Sequence, residues 1–402
     1  MLLGKFRQKR SQGRDLSENS DGGDRVVVAV PIELLFTEDL DRVGKSVFSE
    51  TAAWRRHNQV WANLAFGRLS PHIELMRAFR GDAASSVSSL QYLKWYDNLW
   101  KLRDLNPEIG DVLTARYDHF RHMSVLMREH GPQHTYFTVD LKYVADESKF
   151  FILDGHHRLA FLYTMGCRKV LASMTREDFA EWSNHSARDA VMQLVAQQNR
   201  ELFYTPILHP AFYEVRVERD FGYRSRLDIL LNLLGPQRAM GRMVDIGSNL
   251  GYFTHQFSRE GIDIVGVEPY RDHFDLSVAL SDLYRLKPSF LNKSFELIDR
   301  NEVFDGALLL TVFYHVLSRG EHEPFLKALD GSVRSYVIWE SGHDPEGEKA
   351  IITSRTHFRR YRRLATTFGT GRAREFGVFI SDYVGDQTSV GAALLSAPLP
   401  EN

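Results

Sequence analysis

The spacing of hydrophobic positions changes several times along the chain, and each change predicts a different element. Residues 1–25 are polar and rich in Gly and Ser, without hydrophobic period, which predicts a disordered tail. A β-branched run, VVVAVPIELL, starts at Val26 and predicts a strand, and strand patterns return in TYFTVDLKYVA and KFFILDG. Over about 46–131, between these strands, apolar residues recur at helical spacing. We therefore predict an α+β domain over 26–180 that carries a helical insertion.

The second half of the chain alternates short apolar runs with amphipathic stretches. A helical pattern followed by YTPILHPAFY predicts a helical connector over 181–224. Over 225–402, strand and helix signals alternate, as in a mainly parallel sheet flanked by helices. Between Met243 and Pro269, MVDIG, YFTHQFSREG and IDIVGVEP predict a strand, a glycine turn, a helix and a second strand. We predict an α/β protein of two domains.

Composition excludes several classes of function. Lys and Arg number 50 against 52 Asp and Glu, a formal net charge of -2, so a nucleic-acid partner is not expected. The single cysteine, Cys167, excludes a disulfide framework and a cysteine-rich metal module, and it favours a reducing compartment. No run approaches the ~18 apolar residues that cross a bilayer, so no transmembrane segment is expected. The sequence indicates a cytoplasmic enzyme or binding protein and leaves the oligomeric state open.

The glycine turn after MVDI is surrounded by carboxyl groups. Asp245 stands two residues before Gly247, and Glu268 ends the next strand, so both are expected at the carboxyl edge of the sheet. A phosphate loop, G-x-x-x-x-G-K-[ST], is absent, and Asp245 would repel the pyrophosphate of a dinucleotide. S-adenosylmethionine has the opposite needs, because its ammonium and sulfonium favour a carboxylate, its ribose diol needs an acceptor, and its own carboxylate can use free turn amides. We therefore predict S-adenosylmethionine as the cofactor.

These residues resemble motif I and the acidic second-strand end of class I S-adenosylmethionine-dependent methyltransferases. The resemblance covers roughly 225–384 and implies a Rossmann-like sheet. It implies that the cofactor is bound by Asp245, Gly247, Asn249, Gly251 and Glu268. Asn249 replaces the middle glycine of the family pattern, and Asn is the residue that next best accepts a positive φ. DIGSNLGYF with VEP resembles in particular the members that modify sugars and other small molecules, which implies a small-molecule or glycan acceptor.

Two residues at the ends of later strands are candidate general bases. FDGALLLTVFYHVL predicts the fourth strand and leads to His315, and SYVIWESG predicts the fifth strand, which ends at Glu340. Groups at this edge would face the transferred methyl group, and an imidazole or a carboxylate can take a proton from a hydroxyl. His343 follows as a further candidate. A strand-end polar group that bonds only the backbone is the open alternative for each.

An arginine-rich stretch, TSRTHFRRYRRLATTFGTGRAR, follows the fifth strand. A helical interpretation places Arg355, Arg359 and Arg362 on one face. Guanidinium groups beside the carboxyl edge of the sheet suit phosphate or carboxylate, so these residues are predicted to bind the substrate and the acceptor is predicted to be anionic. A solvated basic face is the alternative.

The glycine turn of the first half indicates a different chemistry. DGHHRLA, together with VVVAVPIELL and RKVLASM, resembles the ParB/sulfiredoxin-like superfamily over about 26–174. The resemblance implies a nucleotide site for ATP or CTP with Mg²⁺, in which a helix N-terminus and the following arginine hold phosphate. The residues so implied are Gly155, His156, His157 and Arg158. No cysteine stands in this loop, which excludes the sulfiredoxin reaction, and no helix-turn-helix is predicted after it, which disfavours a partition protein.

A small-molecule kinase is the remaining enzymatic interpretation of this turn. A kinase needs a carboxylate that activates the acceptor hydroxyl; Asp154 is placed for this role, and Glu38 is a weaker candidate. A histidine pair that only caps a helix is the alternative. Two functions therefore stay open. One is a methyltransferase with a nucleotide-binding domain that is a candidate kinase, and the other is a nucleotide-gated ParB-like regulatory protein with a vestigial methyltransferase scaffold.

Overall fold

The computed structural model describes most of the second half of the chain and part of the first. The described residues are 24–36, 70–81, 92–93, 108–145, 148–183, 185–199, 202–213, 215–217, 226–227, 229–230, 241–299, 301–368 and 372–384. The predicted tail up to residue 23, Glu38 and much of the predicted helical insertion lie outside these ranges, so the predictions made for them stay predictions.

A five-stranded mixed sheet forms the first half. Its strands are β1 (Arg25–Pro31), β2 (Leu35–Phe36), β3 (Val139–Val144), β4 (Lys149–Asp154) and β5 (Lys169–Thr175). The order across the sheet is β1-β5-β3-β4-β2. The β1–β5 and β3–β4 pairs are antiparallel, and the β3–β5 and β2–β4 pairs are parallel. Strands from both sides of the helical stretch therefore belong to one sheet.

The helices of the first half lie beside this sheet, except for the last of them, which packs on the helix Arg271–Tyr284 of the second half. They are α1 (Ser70–Arg80), α2 (Ile109–His130), α3 (His156–Thr164), α4 (Arg176–Trp182) and α5 (His185–Gln197). Helix α2 ends at Gly131, whose φ of 74° suits glycine and whose N–H bonds the Met127 carbonyl. Helix α1 packs on α3. The helical stretch thus covers the helix that begins at the DGHHR turn.

A seven-stranded sheet forms the second half. Its strands are β6 (Met243–Ile246), β7 (Ile264–Val267), β8 (Ser289–Leu291), β9 (Phe304–Leu310), β10 (Val333–Glu340), β11 (Arg360–Thr367) and β12 (Arg374–Ile380), in the order β11-β12-β10-β9-β6-β7-β8. The β7–β8, β6–β7, β6–β9 and β9–β10 pairs are parallel. The β10–β12 and β11–β12 pairs are antiparallel. All residues of β6 and β7 are buried, because helices cover both faces of a parallel sheet. The prediction of an α/β fold with a mainly parallel sheet is confirmed.

The helices of the second half connect these strands. They are α6 (Tyr252–Arg259), α7 (Arg271–Tyr284), α8 (Phe313–Ser318), α9 (His322–Ser332) and α10 (Pro345–Arg355). Asp344 is the N-cap of α10, and its side chain accepts the Gly347 N–H at 3.0 Å.

The arginine-rich stretch does not form the predicted helix. Helix α10 ends at Arg355, Arg359 lies in the following loop, and Arg362 lies within strand β11. The prediction that these three residues share one helical face is therefore wrong. Strand β11 forms because its residues pair with β12, and the Tyr361 ring packs on Phe379 at 4.8 Å.

The two halves share one hydrophobic core. It includes Phe150 and Ile152 of the first sheet together with Tyr252 and Phe257 of α6. Buried Arg259, the last residue of α6, donates its Nε to the Ser148 carbonyl at 2.7 Å and its Nη1 to Gln256 Oε1 at 2.7 Å. The helix that follows the Met243–Pro269 glycine turn is thus anchored on the first sheet.

Candidate functional site

The carboxyl ends of β6, β7 and β9 meet at one edge of the second sheet. Strand β6 pairs with β7 on one side and with β9 on the other, so the strand order changes direction at β6. Open α/β sheets bind ligands in the crevice at such a switch point. The residues that follow β6 and β7 therefore form the candidate site.

The turn after β6 reverses the chain through three left-handed residues. The φ angles are 71° at Gly247, 52° at Asn249 and 75° at Gly251, and Gly251 is the N-cap of α6. A Cβ at Gly247 would lie 2.7 Å from Val312 Cγ2, and a Cβ at Gly251 would lie 2.6 Å from Phe290 Cζ. Both positions therefore need glycine for its φ and for space, whereas Asn249 adopts the conformation that its substitution for glycine predicts.

Asp245 is buried at the end of β6, 3% exposed. Its Oδ2 accepts a hydrogen bond from the Thr254 hydroxyl at 2.8 Å. Burial raises the pKa of this carboxyl to about 6, and the nearby charge of Glu268 adds to the rise. A ligand cation beside Asp245 would favour the ionised form and lower this pKa.

Glu268, directly after β7, is buried to the same extent, 3% exposed. Its Oε2 accepts the Asn249 N–H at 2.8 Å, and its Oε1 accepts the Tyr270 N–H at 3.0 Å. His273 Nδ1 lies 3.6 Å from Oε1. In the described part of the chain, no Arg or Lys forms an ion pair with Glu268 or Asp245. The site thus presents two buried acidic groups with unused acceptor capacity.

The backbone amides of the turn are already bonded inside the protein. Those of Gly247 and Ser248 donate to the Val267 carbonyl at 2.9 and 3.1 Å. The Leu250 N–H donates to Asn249 Oδ1 at 2.9 Å. The expectation of free turn amides is therefore wrong, and a ligand carboxylate would have to displace the Asn249 side chain to reach the Leu250 N–H.

Three rings stand beside the turn, on the side of β9 and β10. Tyr314 and His315 lie on α8 with ring centroids 3.9 Å apart, and His343, in the loop after β10, lies 4.9 Å from Tyr314. We call Tyr314, His315 and His343 the ring cluster. Val312, two residues before Tyr314, is the side chain that a Cβ at Gly247 would meet. The candidate base His315 therefore lies on the same side of the sheet as the turn after β6, accompanied by a second exposed imidazole, that of His343.

Glu340 lies at the end of β10 as the sequence predicts, but its carboxylate is buried in an ion pair. Arg226 Nη1 lies 2.9 Å from Oε2, and the Thr367 hydroxyl donates to Oε1. Neither side chain of the ion pair is more than 4% exposed. A carboxylate with these partners is not available to take a proton from an acceptor, so the structure does not favour Glu340 as the base.

The predicted substrate-binding arginines are dispersed. Arg355 Nη1 lies 3.2 Å from Glu323 Oε1, and Arg359 Nε lies 3.6 Å from Asp382 Oδ2. Arg362 is on the strand β11, at the edge of the sheet. These residues do not form one anion-binding cluster.

In the first half, the DGHHR turn starts helix α3 without a side-chain cap. Gly155 is the N-cap, with a φ of 99°, and a Cβ there would lie 2.7 Å from Val139 Cγ1. Arg158 Nη2 lies 2.9 Å from Asp154 Oδ2, and its Nη1 donates to the Thr138 carbonyl at 2.5 Å. Asp154 nevertheless keeps 67% of its side chain exposed. The turn therefore combines helix amides that no side chain caps, an exposed carboxylate and an arginine already bound to protein groups.

His156 and His157 pack against residues of the helical stretch. The ring centroid of His72, on α1, lies 5.8 Å from that of His156 and 4.7 Å from that of His157. The Tyr92 hydroxyl lies 2.8 Å from His157 Nε2 and accepts from Arg116 Nε at 3.0 Å. Burial lowers the pKa of His156 to about 4 and that of His157 well below its ordinary value. Both imidazoles are therefore neutral at pH 7 and would act as hydrogen-bonding groups rather than as cations.

Neither a grouped set of metal ligands nor a membrane-spanning helix occurs in the described ranges. There, no three His, Cys, Asp or Glu side chains are grouped to hold a metal ion. No helix in those ranges combines the length and apolar character needed to cross a membrane.

Sequence reasoning missed three residues that support the site. Thr254 bonds Asp245, Arg226 pairs with Glu340, and Glu348 bonds the loop that carries His343. Thr254 lies nine residues after Asp245, and the helical period of α6 could have indicated that it faces the sheet. The other two depend on contacts that no local pattern reveals.

Comparison with known proteins relates part of the chain to methyltransferases. No family model matches the chain. A ubiquinone biosynthesis O-methyltransferase from Rhodopseudomonas palustris (strain BisA53) is 30% identical over 79 residues, which are 20% of this chain and 31% of that protein. The chain therefore aligns with less than a third of that relative's length. The match supports the methyltransferase resemblance for this stretch.

Solved structures align with about half of the chain. The bifunctional kinase-methyltransferase WbdD is 21% identical with a TM-score of 0.40, over 48% of this chain and 46% of that chain. Magnesium protoporphyrin IX methyltransferase (ChlM) from Synechocystis PCC 6803 with bound S-adenosylmethionine is 12% identical with a TM-score of 0.36, over 40% of this chain and 80% of that chain.

Proposed function

We propose that the second half binds S-adenosylmethionine at the β6–β7 edge and transfers its methyl group to a small-molecule or glycan acceptor. The observation that carries this proposal is the pair of buried carboxyl groups, Asp245 and Glu268, at the topological switch point. The nearby charge of Glu268 raises the cost of ionising Asp245, and a ligand with cationic groups and a diol relieves that cost. The partial sequence match to an O-methyltransferase supports methyl transfer as the reaction.

Each part of the site has a distinct task in this proposal. Bound S-adenosylmethionine supplies a methyl group on a sulfonium centre. Asp245 favours its positive charge, Glu268 accepts from its ribose hydroxyls, and the Gly247–Gly251 turn admits it close to the backbone. The ring cluster lines the acceptor side, where an imidazole can receive the acceptor's proton. We do not extend the proposal to an anionic acceptor, because Arg355 and Arg359 have carboxylate neighbours.

The affinity for S-adenosylmethionine is expected to fall as pH drops through the pKa of Asp245. This pKa is about 6 in the free protein, and the bound cation lowers it, so binding requires loss of a proton at lower pH. The affinity should fall by up to about tenfold per pH unit below about pH 6 and stay constant above about pH 7. Asp245→Asn should bind about ten- to a hundredfold more weakly at about pH 7.5 and show no such slope. Isothermal titration calorimetry across this range measures both effects.

Two controls separate the charge of Asp245 from general effects. Asp263→Asn changes an exposed carboxylate directly before β7, at the opposite edge of the sheet, and should leave both affinity and slope unchanged. S-adenosylhomocysteine lacks the sulfonium charge, so its binding should depend less on pH. Equal affinity and slope for wild type and Asp245→Asn would refute the assignment of this site.

We propose nucleotide binding by the first half as a second function. The observation that favours it is the Gly155 turn, where α3 begins with a left-handed glycine and without a side-chain cap beside the exposed Asp154. ATP or CTP with Mg²⁺ is the proposed ligand class, and Asp154 is the proposed activating carboxylate if the domain is a kinase. A protein that binds nucleotide but not S-adenosylmethionine would favour the regulatory function with a vestigial methyltransferase scaffold.

Arg158→Gln is expected to weaken binding of Mg·ATP or Mg·CTP by about tenfold or more, because it removes a charged donor from the phosphate site. Binding of S-adenosylmethionine should not change. Arg80→Gln is the matched control, because Arg80 bonds the Thr164 carbonyl at the other end of α3. Calorimetry with both nucleotides measures these affinities. If the intact wild-type chain binds neither nucleotide, the proposal fails and the Gly155 turn only begins a helix.

A further inference from the structure

Glu348, on α10, is a buried carboxyl group beneath the loop that follows β10. It is 1% exposed. Its Oε1 accepts the Gly342 N–H at 2.8 Å, and its Oε2 accepts the Trp339 Nε1–H at 3.2 Å. Glu348 therefore ties the loop to the strand before it, on the side of the sheet edge where the acceptor is proposed to bind.

Gly342 brings this loop into close contact with the ring cluster. A Cβ at Gly342 would lie 2.2 Å from Tyr314 Cβ and 2.4 Å from Glu348 Oε1, so only a bare backbone fits between them. Buried Arg374 donates Nη1 to the Gly342 carbonyl at 3.0 Å, and its guanidinium carbon lies 5.6 Å from the Tyr314 ring centroid. Both the N–H and the carbonyl of Gly342 are therefore held by buried side chains, and the next residue, His343, extends from this fixed backbone.

We propose that Glu348 is a positioning residue for the acceptor side of the site. By holding the Gly342 N–H, it fixes His343 against Tyr314, so that the His343 imidazole takes the proton of the acceptor. This inference rests on the proposed methyl transfer. In that reaction the acceptor oxygen forms a bond to the methyl carbon, the carbon–sulfur bond of the sulfonium donor breaks with its electron pair going to sulfur, and the acceptor proton moves to an imidazole nitrogen of His343.

Charged groups of both signs face Glu348. Burial raises its pKa to about 7, Asp344 adds to the rise, and Arg374 opposes it. Glu348 is therefore mostly neutral below about pH 7 and mostly ionised above it. Because an ionised acceptor forms the stronger hydrogen bond, the hold on the Gly342 N–H tightens as pH rises.

The test follows two signals of the full-length chain by NMR as a function of pH. They are the Trp339 indole N–H and the His343 Cε1–H, assigned with the variants Trp339→Phe and His343→Gln. In wild type, the Trp339 signal should show an inflection near pH 7, where Glu348 changes its charge, and the His343 signal should change over the same range. Glu348→Gln should remove the inflection from the Trp339 signal and change the pH profile of the His343 signal, yet at about pH 6 it should match the wild-type His343 signal, because the neutral amide still accepts the Gly342 N–H. Glu348→Ala should shift the His343 signal at every pH.

Glu346→Gln is the matched control, because Glu346 lies on the same helix with 83% of its side chain exposed. It should leave both signals unchanged. The inference is overturned if the His343 signal in Glu348→Gln follows the same pH profile as in wild type, or if Glu346→Gln alters that profile as much. Calorimetry with S-adenosylmethionine runs in parallel and should give affinities within about twofold for all of these Glu variants. If wild type does not bind S-adenosylmethionine, the proposed function fails, while the NMR result still decides whether Glu348 positions His343.

Discussion

Gly251→Ala is expected to weaken S-adenosylmethionine binding by at least about tenfold and to lower the free energy of unfolding by about 2 to 5 kcal/mol. The φ of 75° at this position costs an L side chain about 1 to 2 kcal/mol. The new Cβ would also lie 2.6 Å from Phe290 Cζ and 2.9 Å from His255 Cε1, and such overpacking costs about 1 to 3 kcal/mol. Gly251 is the N-cap of α6, so relief of the overlap would displace the turn that is proposed to bind the cofactor.

Gly261→Ala separates backbone strain from the overlap. Gly261 has nearly the same φ, 76°, but nothing lies within 4 Å of its Cβ position. The variant should lose about 1 to 2 kcal/mol of stability and keep its cofactor affinity within about twofold. Urea unfolding followed by circular dichroism, together with calorimetry, measures both quantities. If the two alanine variants behave alike, the close packing around Gly251 has no role in the site.

Arg226→Met is expected to lower the free energy of unfolding by about 3 to 5 kcal/mol, because it leaves the Glu340 carboxylate buried without its counter-ion. Methionine retains much of the apolar volume, including the contact of this side chain with the Phe253 ring. Restoring neutrality with Arg226→Met/Glu340→Gln should recover a large part of the loss. Thermal or urea unfolding of the two variants provides the measurement.

Arg285→Met is the matched control, because it removes an ion pair of the same length that is exposed to solvent. Arg285 Nη1 also lies 2.9 Å from a glutamate oxygen, that of Glu181, but both side chains are exposed by a third or more. Its loss should cost less than about 1 kcal/mol. If Glu340→Gln alone leaves stability unchanged but stops methyl transfer, Glu340 is a proton acceptor after all and the ion pair is not its main role.

The parts of the second half that the sequence predicts best are those with local causes. Strands β6 and β7 are buried on both faces, so their apolar runs are continuous, and the glycines at 247 and 251 mark a turn that needs positive φ. Asp245 and Glu268 occupy the ends of these strands and therefore meet at one edge once the sheet is parallel. The position of the proposed cofactor site follows from these features alone.

The predictions from sequence are wrong where contacts between residues distant in sequence determine the structure. Arg355, Arg359 and Arg362 are spaced three and four apart, which fits a helix, but pairing with β12 makes the segment from Arg360 a strand. The strand-end position of Glu340 predicts a base, yet its partner Arg226 is 114 residues away in sequence and no pattern indicates the pair. Free turn amides were expected because side-chain caps such as that of Asn249 on Leu250 cannot be read from a motif.

The first half shows a similar division. The strand, glycine and helix of KFFILDGHHRLAFLY appear as β4, Gly155 and α3, because their apolar period and the left-handed glycine are local properties. The neutrality of His156 and His157 is not local. It arises from burial against residues such as His72, more than eighty positions earlier.

The anchor between Arg259 and Ser148 limits how this protein can be recombined. A guanidinium that is buried at the end of α6 takes its Nε acceptor, a backbone carbonyl, from the other half of the chain. A chimera that replaces the first half by another module would bring an unsatisfied cation to the junction unless the new module offers a carbonyl at the same place. Exchange of modules at the connector, whether by gene fusion or by design, therefore has to transplant the turn at Ser148 together with α6.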